Sequence, residues 1–437
     1  MVEQAQIPAS IRATRGLDAA NFFLADVRDG LGPYLAIYLL AVQKWDEASI
    51  GIVMSIATAA GILAQTPAGA LIDITRLKRA AVVAAAIIVV AASLLLPLFS
   101  NFFLVAASQA VAHASAAAFG PGIAAISLGI VGHAAFSRRV GRNEAFNHAG
   151  NAFAATIAGG TAYLFGRIVV FYLLAAMSMA SLISILIIPG REIDNELARG
   201  LHDWHADGEA PIEDRPGGLR VLLACKPLLL FAIAVLLFHL ANAAMLPLVG
   251  QKLTLQNKYL GTTLMSACIV AAQLVMVPMA MLVGARADQW GRKPMFLAGF
   301  LVLVLRGCLY NVSDDPYWLL AVQTLDGVGA GIFGAIFPII VADLMQGTGR
   351  FNIALGAILT AQGIGAALST TLAGLVVVHA GYGAAFLTLA GVAILGALVF
   401  FFGMPETKSY AASPSGYNNK HGSATLTSSK QATNPVA

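Results

Sequence analysis

Residues 17 to 404 form a series of apolar runs, most of them close to the roughly 20 residues that an α-helix needs to cross the hydrocarbon core of a bilayer. Few folds are open to such a chain, because every backbone N–H and C=O inside the bilayer must find its partner within the protein. The runs fall at 17–41, 50–72, 80–98, 102–132, 143–165, 168–189, 226–249, 261–284, 294–311, 316–343, 352–378 and 383–404. We therefore expect an all-α polytopic membrane protein with about twelve transmembrane helices. Of 437 residues 58% are hydrophobic and only 11% are charged, which excludes an ordinary soluble domain. The net charge of +4 does not mark a nucleic-acid binder, since the basic residues lie in short loops between apolar runs and not on one face or tail.

Those loops also set an orientation. Of the 26 Lys and Arg residues, twenty fall on the side of the termini; Lys44, Arg167, Lys252 and Lys258 fall on the opposite side, and Arg28 and Arg306 inside helices. By the positive-inside rule the N- and C-termini are expected in the cytoplasm and the chain in the plasma or inner membrane. Residues 1–16 carry Arg12 and Arg15 without a short apolar core and cleavage site, so no signal peptide is expected. Cys225, Cys268 and Cys308 have no paired spacing, and neither a disulfide nor a metal role is expected of them.

A short charged stretch between two apolar runs extends from Gly284 to Pro294 and contains Arg286, Asp288, Gly291, Arg292 and Lys293. Its pattern, G-x-x-A-D-x-x-G-R-K-P, resembles the loop signature of the major facilitator superfamily, found there between the second and third helices of each half. A weaker copy runs from Gly69 through Asp73 to Arg76, Lys78 and Arg79, without the inner glycine. Two copies about half a chain apart mark a duplicated protein. Further repeats agree: Gln109 and Phe119 match Gln323 and Phe333 at the same spacing, and Pro33 has its counterpart in Pro247. Pro405, Glu406, Thr407 and Lys408 resemble the motif that closes the last helix in some members. The resemblance implies two pseudo-symmetric six-helix bundles, at 17–189 and 226–404. A charged cytoplasmic linker over 190–225 joins them, and a low-complexity tail over 405–437 follows. Within the linker, Arg191 to His205 is open to a short surface helix, and His202 with His205 to a metal, beside the plainer reading as solvated chain.

Ionisable groups at membrane depth are costly and are candidate functional sites. A group nine to thirteen residues into a helix lies roughly 14 to 20 Å deep. Asp26, Arg28 and Asp29 lie deep in the first run, His113 in the fourth, His239 and Asn242 in the seventh and Asp326 in the tenth. By resemblance these four helices line the central cavity. Asp26 and Asp29 share a helix face, as a proton carrier with a raised carboxyl requires, while Arg28 pairs elsewhere; the alternative is a buried ion-pair network that only fixes packing. His113 and His239 either relay protons or hydrogen-bond a neighbouring helix. Asp326 has no basic residue within a helical turn, which favours proton or cation coupling.

The function that follows is proton-coupled secondary transport of a small organic molecule by alternating access, with export preferred over uptake. The proton-coupling candidates are Asp26, Asp29, Asp326, His113 and His239, and the cavity candidates Arg28, Gln109, Asn242 and Gln323. The resemblance further implies that Asp73 and Asp288, with the glycines and basic residues of their loops, hold the halves together in the outward-facing state. One departure concerns antiporters of the family, which carry an arginine three residues before the fourth-helix glutamine; this chain has Ala106 before Gln109. A receptor or scaffold that kept the fold is the competing class, and it calls for a larger soluble region than the linker and tail supply. No cofactor is expected, no enzyme motif is present and the protein is expected to be a monomer.

Overall fold

A computed structural model of the chain describes residues 9–29, 35, 38–40, 42–98, 101–165, 169–201, 225–256 and 258–408, and the side chains of Asp26, Arg28 and Asp29 lie outside the described residues. Every long element among the described residues is α-helical. In the first half these are α1 (Ile11–Asp29), α2 (Glu47–Ile74), α3 (Lys78–Leu95), α4 (Phe102–Ala116), α5 (Phe119–Phe165) and α6 (Val169–Ile187). In the second half they are α7 (Lys226–Asn242), α8 (Met245–Gln256), α9 (Lys258–Trp290), α10 (Arg292–Leu309), α11 (Pro316–Met345) and α12 (Phe351–Gly403). Among the described residues, seven stretches are long and apolar enough to cross a membrane by length and composition alone. Two of them hold a pair of crossings each, because α5 turns at Gly132 (φ 66°) and α12 at Gly381 (φ 82°), a left-handed conformation open to glycine.

Local chemistry explains the starts and breaks. Asp46 accepts from the Ser49 N–H, Asn101 from those of Phe103 and Leu104, and Asp315 from those of Tyr317 and Trp318, each capping a helix that the sequence begins there. The seventh crossing is broken between Asn242 and Met245, where Pro247 has no N–H to give the Ala243 carbonyl. The N–H of Ala244 that the break exposes donates to Ser369 Oγ at 3.0 Å, so the gap is satisfied from α12. The fourth crossing breaks likewise between α4 and α5, four residues before Pro121. The fifth crossing begins at His133, directly after Gly132, so Arg138, Arg139 and Arg142 lie on a helix where the hydropathy pattern predicts a loop.

Joining the two parts of each broken crossing and dividing α5 and α12 at their glycines leaves two groups of six. The first half buries Leu17, Leu24, Val53, Val89 and Phe119 in its own core; the second buries Phe231, Phe238, Phe296, Phe300 and Phe400 as a cluster of tilted and edge-on rings. Large apolar side chains such as Leu63, Phe103, Val378 and Phe402 stand on the outside at 75% exposure or more, where lipid replaces water. The halves meet along α2 against α12 and α5 against α9. The first part of the linker packs between them. Leu197 and Ala198 are buried, the Asp194 N–H reaches the Gly129 carbonyl, and Asn352 Nδ2 donates to the Ala198 carbonyl at 2.8 Å. The short segment after α6 is thus a strap with two one-turn 3₁₀ helices, Gly190–Glu192 and Leu197–Arg199. His202 and His205 lie outside the described residues.

Candidate functional site

Two polar regions stand out, one at the end of the bundle that carries the basic loops and one inside the second half. At the basic-loop end each motif places its glycine at a crossing of helices from opposite halves. A Cβ on Gly69 would overlap the Asn352 carbonyl of α12, and a Cβ on Gly141 of α5 would lie 2.6 Å from Gly284 Cα. Only hydrogen at these positions lets the backbones approach this closely. Four residues beyond each motif glycine, an aspartate reaches the other half. Asp73, buried, accepts from the N–H groups of Asn352 (3.2 Å) and Ile353 (2.8 Å) and from Asn352 Nδ2 (2.8 Å), so it caps the start of α12. Asp288 accepts from Ser137 Oγ at 2.8 Å and pairs with Arg292 at 2.9 Å.

The basic residues of the motifs bond within their own halves. Lys78 Nζ donates to the carbonyls of Ile72 and Thr75, Arg79 to that of Leu186, and Arg292 pairs with Asp343 at 2.8 Å. Arg76 is exposed, and Lys293 lies over the Phe401 ring. Gly291 (φ 92°) leaves α10 without a cap of its own, and Glu406 supplies one, accepting from the N–H groups of Arg292 (2.8 Å) and Lys293 (3.0 Å). Half-burial of Glu406 pushes its carboxyl up, but the backbone donors of Lys408, Arg292 and Lys293 prevail and hold it below the usual glutamate range. The closing motif is therefore a distant helix cap, with Thr407 on Asp343 and Lys408 on the Gln289 carbonyl beside it.

Inside the second half, Arg306 of α10 is fully buried and paired with Asp326 of α11. Its Nη2 also donates to Asn242 Oδ1 at 2.8 Å and to the Asn242 carbonyl, the acceptor left open where α7 ends. Gln323 Nε2 donates to Asp326 Oδ2 at 3.0 Å, and Tyr310 Oη to Gln323. Asp326 and Asn242, chosen from sequence depth, and Gln323, chosen as the repeat counterpart of Gln109, thus form one cluster around an arginine. Sequence reasoning noted that Arg306 lies inside a helix and assigned it no role; a deep cation 20 residues before a deep anion was the available signal. His239 stands beside the cluster, its Nδ1 3.1 Å from the Val235 carbonyl of its own helix and its ring edge-on to Phe333 at 4.6 Å.

The first half is different. The offset from Gln109 to Gln323, 214 residues, puts Ala92 at the position of Arg306, Ala112 at Asp326 and Arg28 at Asn242. Where the second half has its ion pair, the first has a small cavity lined by Val27, Val89, Ser93, Gln109, Ala112, His113 and Ala116. Gln109 Nε2 is buried there with no partner. Asp26, Arg28 and Asp29 belong to α1, whose Val27 lines this cavity, but their side chains lie outside the described residues. Sequence reasoning also missed a clamp at the base of this half, where Asp18 of α1 takes Arg139 and Arg142 of α5, each at 2.6 Å.

Six crossings in each half, breaks inside the bilayer at prolines, and halves joined mainly by α2 with α12 and α5 with α9 define a two-fold transporter architecture. The protein-family model described as Major Facilitator Superfamily matches residues 17–285 and 231–435. Two uncharacterized MFS-type transporters from Mycobacterium tuberculosis, strains CDC 1551 and H37Rv, are each 56% identical over 396 residues, covering 91% of this chain and 94% of the relative. The crystal structure of the human organic anion transporter MFSD10 (TETRAN) aligns with a TM-score of 0.65 at 14% identity, covering 89% of this chain and 99% of that one; at that identity the likeness concerns the fold. This chain belongs to the major facilitator superfamily, as a multi-pass membrane transporter and not an enzyme.

Proposed function

We propose that the protein is a proton-coupled secondary transporter that exports a small organic compound across the plasma membrane by alternating access, with both termini and the basic loops in the cytoplasm. The observation that carries this reading is the buried Arg306–Asp326 pair with Asn242 and Gln323 at the break of the seventh crossing. A charge pair is expensive to bury, and a helix break inside the bilayer exposes backbone acceptors, so the place suits binding and release of polar groups. The Asp326 carboxylate would take either a proton or a cationic or hydrogen-bond-donating group of the substrate in place of Arg306, and the pair with Arg306 would re-form once both have left. Proton and substrate then compete for one site, which is the logic of exchange. His239, His113, Gln109, Asp26, Asp29 and Arg28 belong to the same proposal as relay and cavity residues.

The closed contacts at the basic-loop end, from Gly69 and Asp73 to α12 and from Gly284 and Asp288 to α5, support an outward-facing state. Export is favoured by the mainly apolar interior, which suits a compound that partitions from the inner leaflet. The test is proton flux into liposomes holding the purified protein, screened against a panel of organic compounds, with wild type beside Asp326→Asn. Compound-dependent proton movement that Asp326→Asn abolishes supports the reading. Compound movement without protons, unchanged in Asp326→Asn, overturns the coupling and leaves a facilitator.

A further inference from the structure

The strap after α6 touches both halves at the basic-loop end, and its two contacts differ in kind. On the first half it has an apolar seat. Ile193 lies in that half's buried core, and Ala198 is fully buried against Ile72 of α2 and Ala125 of α5. Gly129 of α5 makes the seat possible. The Asp194 N–H donates to its carbonyl at 2.9 Å, and a Cβ there would lie 2.7 Å from the Asp194 carbonyl oxygen and 3.0 Å from Ala198 Cβ. On the second half the strap meets the turn between α11 and α12 through hydrogen bonds. The Gly347 N–H donates to the Gly200 carbonyl at 2.6 Å, and Asn352 Nδ2 to the Ala198 carbonyl at 2.8 Å. Gly200 stands in the left-handed region (φ 86°), and a Cβ on it would lie 3.1 Å from Phe351 Cβ.

The internal repeat shows what is particular to this contact. The offset of 214 residues that relates Gln109 to Gln323 also relates Lys78, the first residue of α3, to Arg292, the first of α10, and Gly129 to Asp343. In the second half Asp343 takes Arg292 and Thr407, which holds the segment after α12 on its own half. In the first half glycine stands at that position, and the backbone of the strap fills the place of the side chain. The strap then goes on to the other half.

We propose that the strap is a releasable tie across the basic-loop end: it stays seated on the first half, and its bonds to Gly347 and Asn352 part when this end opens. The inference rests on alternating access as read above, and on neither the coupling carboxylate nor the substrate. If the halves separate here, one of the two contacts must break. Ile188 and Pro189 alone separate the strap from α6, whereas residues 202–225 lie between it and α7, so the chain itself keeps the strap near the first half. Leaving the first half would also bring buried Ile193 and Ala198 into water. Leaving the second half exchanges two hydrogen bonds for bonds to water, which costs less.

The test is a set of spin-label distances in full-length protein in nanodiscs, with Cys225, Cys268 and Cys308 replaced by alanine and no substrate present. Leu77→Cys with Gln289→Cys reports the opening of the basic-loop end, and Arg199→Cys, half-exposed on the strap, is paired with each of them in turn. Gly200→Val puts a branched side chain at a left-handed position against Phe351, a strain on the bound strap that release relieves, so the closed-to-open ratio falls about 5- to 30-fold. The ratio is measured in the wild-type sequence and with Asp73→Ala, which strips the cap from α12. The Arg199–Gln289 distance lengthens together with Leu77–Gln289, and the Arg199–Leu77 distance stays as in the closed state. Melting in the same nanodiscs, with the milder Gly200→Ala alongside, separates misfolding from opening. A Leu77–Gln289 distribution that Gly200→Val leaves unchanged in both backgrounds, or an Arg199–Leu77 distance that lengthens on opening, overturns the inference. Gly69→Val opens the α2–α12 crossing directly, so failure of the tie is told apart from failure of this end to open at all.

Discussion

Asp73, at the end of α2, caps the first turn of α12 in the opposite half, accepting the N–H groups of Asn352 and Ile353 with Gly69 pressed on the Asn352 carbonyl one turn earlier. One carboxylate and one missing side chain thus join the halves at this crossing. Asp73→Ala leaves two backbone N–H donors and one side-chain amide donor at a helix start without their acceptor, a loss of about 1 to 3 kcal/mol. The closed-to-open ratio should fall about 5- to 150-fold, read as a longer distance between spin labels on Leu77→Cys and Gln289→Cys, at exposed positions of the two basic loops. Gly69→Val, which adds bulk where there is no room, should open this end further. A distance distribution equal to wild type in both variants would show that the latch does not govern closure.

The Arg306–Asp326 pair predicts an asymmetry between breaking and replacing. Arg306→Ala leaves the Asp326 carboxylate buried without its cation and should cost about 3 to 5 kcal/mol, seen as a large drop in the melting temperature of the purified protein. The double variant Arg306→Met with Asp326→Leu removes both charges and should recover most of that stability while abolishing compound-dependent proton flux. A single variant that melts with wild type would show the pair to be energetically idle.

The two pseudo-equivalent glutamines should respond in opposite directions. Gln109 has a buried Nε2 with no partner, so Gln109→Leu should be neutral or stabilising by about 1 kcal/mol. Gln323 bridges Tyr310 and Asp326, so Gln323→Leu strands two buried groups and should cost about 1 to 3 kcal/mol. Melting temperatures of the two variants, taken in the same detergent, decide this; equal shifts would refute it.

Glu406 gives a pH dependence with a definite sign. Its carboxyl is held below the ordinary value of 4.5 in the folded chain, so its contribution is fully present above that value and is lost as pH falls through the folded value. At pH 7 Glu406→Ala should cost about 1 kcal/mol, as loss of a helix cap does. The stability gap between wild type and variant should narrow as the pH is lowered below the glutamate range. A gap that is constant with pH would show that the charge of Glu406 plays no part in the cap.

Much of this molecule was legible in its sequence. Spans of membrane length, the side favoured by Lys and Arg, and two copies of one loop are properties of chain segments, and segment-local physics decides them. The bilayer permits only helices, and a repeated motif reports a repeated bundle. Depth in a helix was enough to single out Asp326 and Asn242, because the cost of a polar group depends on how far it lies from water, and the repeat with Gln109 added Gln323. It was not enough to say what each one meets. Arg306 becomes the partner of Asp326 only when α10 and α11 pack side by side. Glu406 becomes the cap of α10 only when the end of α12 returns to the motif loop, and His148 meets Gln273 only where α5 packs on α9. Gly69 and Gly284 belong to the two loop motifs in the chain and prove to be points where helices of opposite halves cross. The sequence by itself determined which segments enter the membrane and which groups are costly there. Only the tertiary structure decided which of those groups satisfy one another, because hydrogen bonds and ion pairs act over about 3 Å while their partners lie tens to hundreds of residues apart.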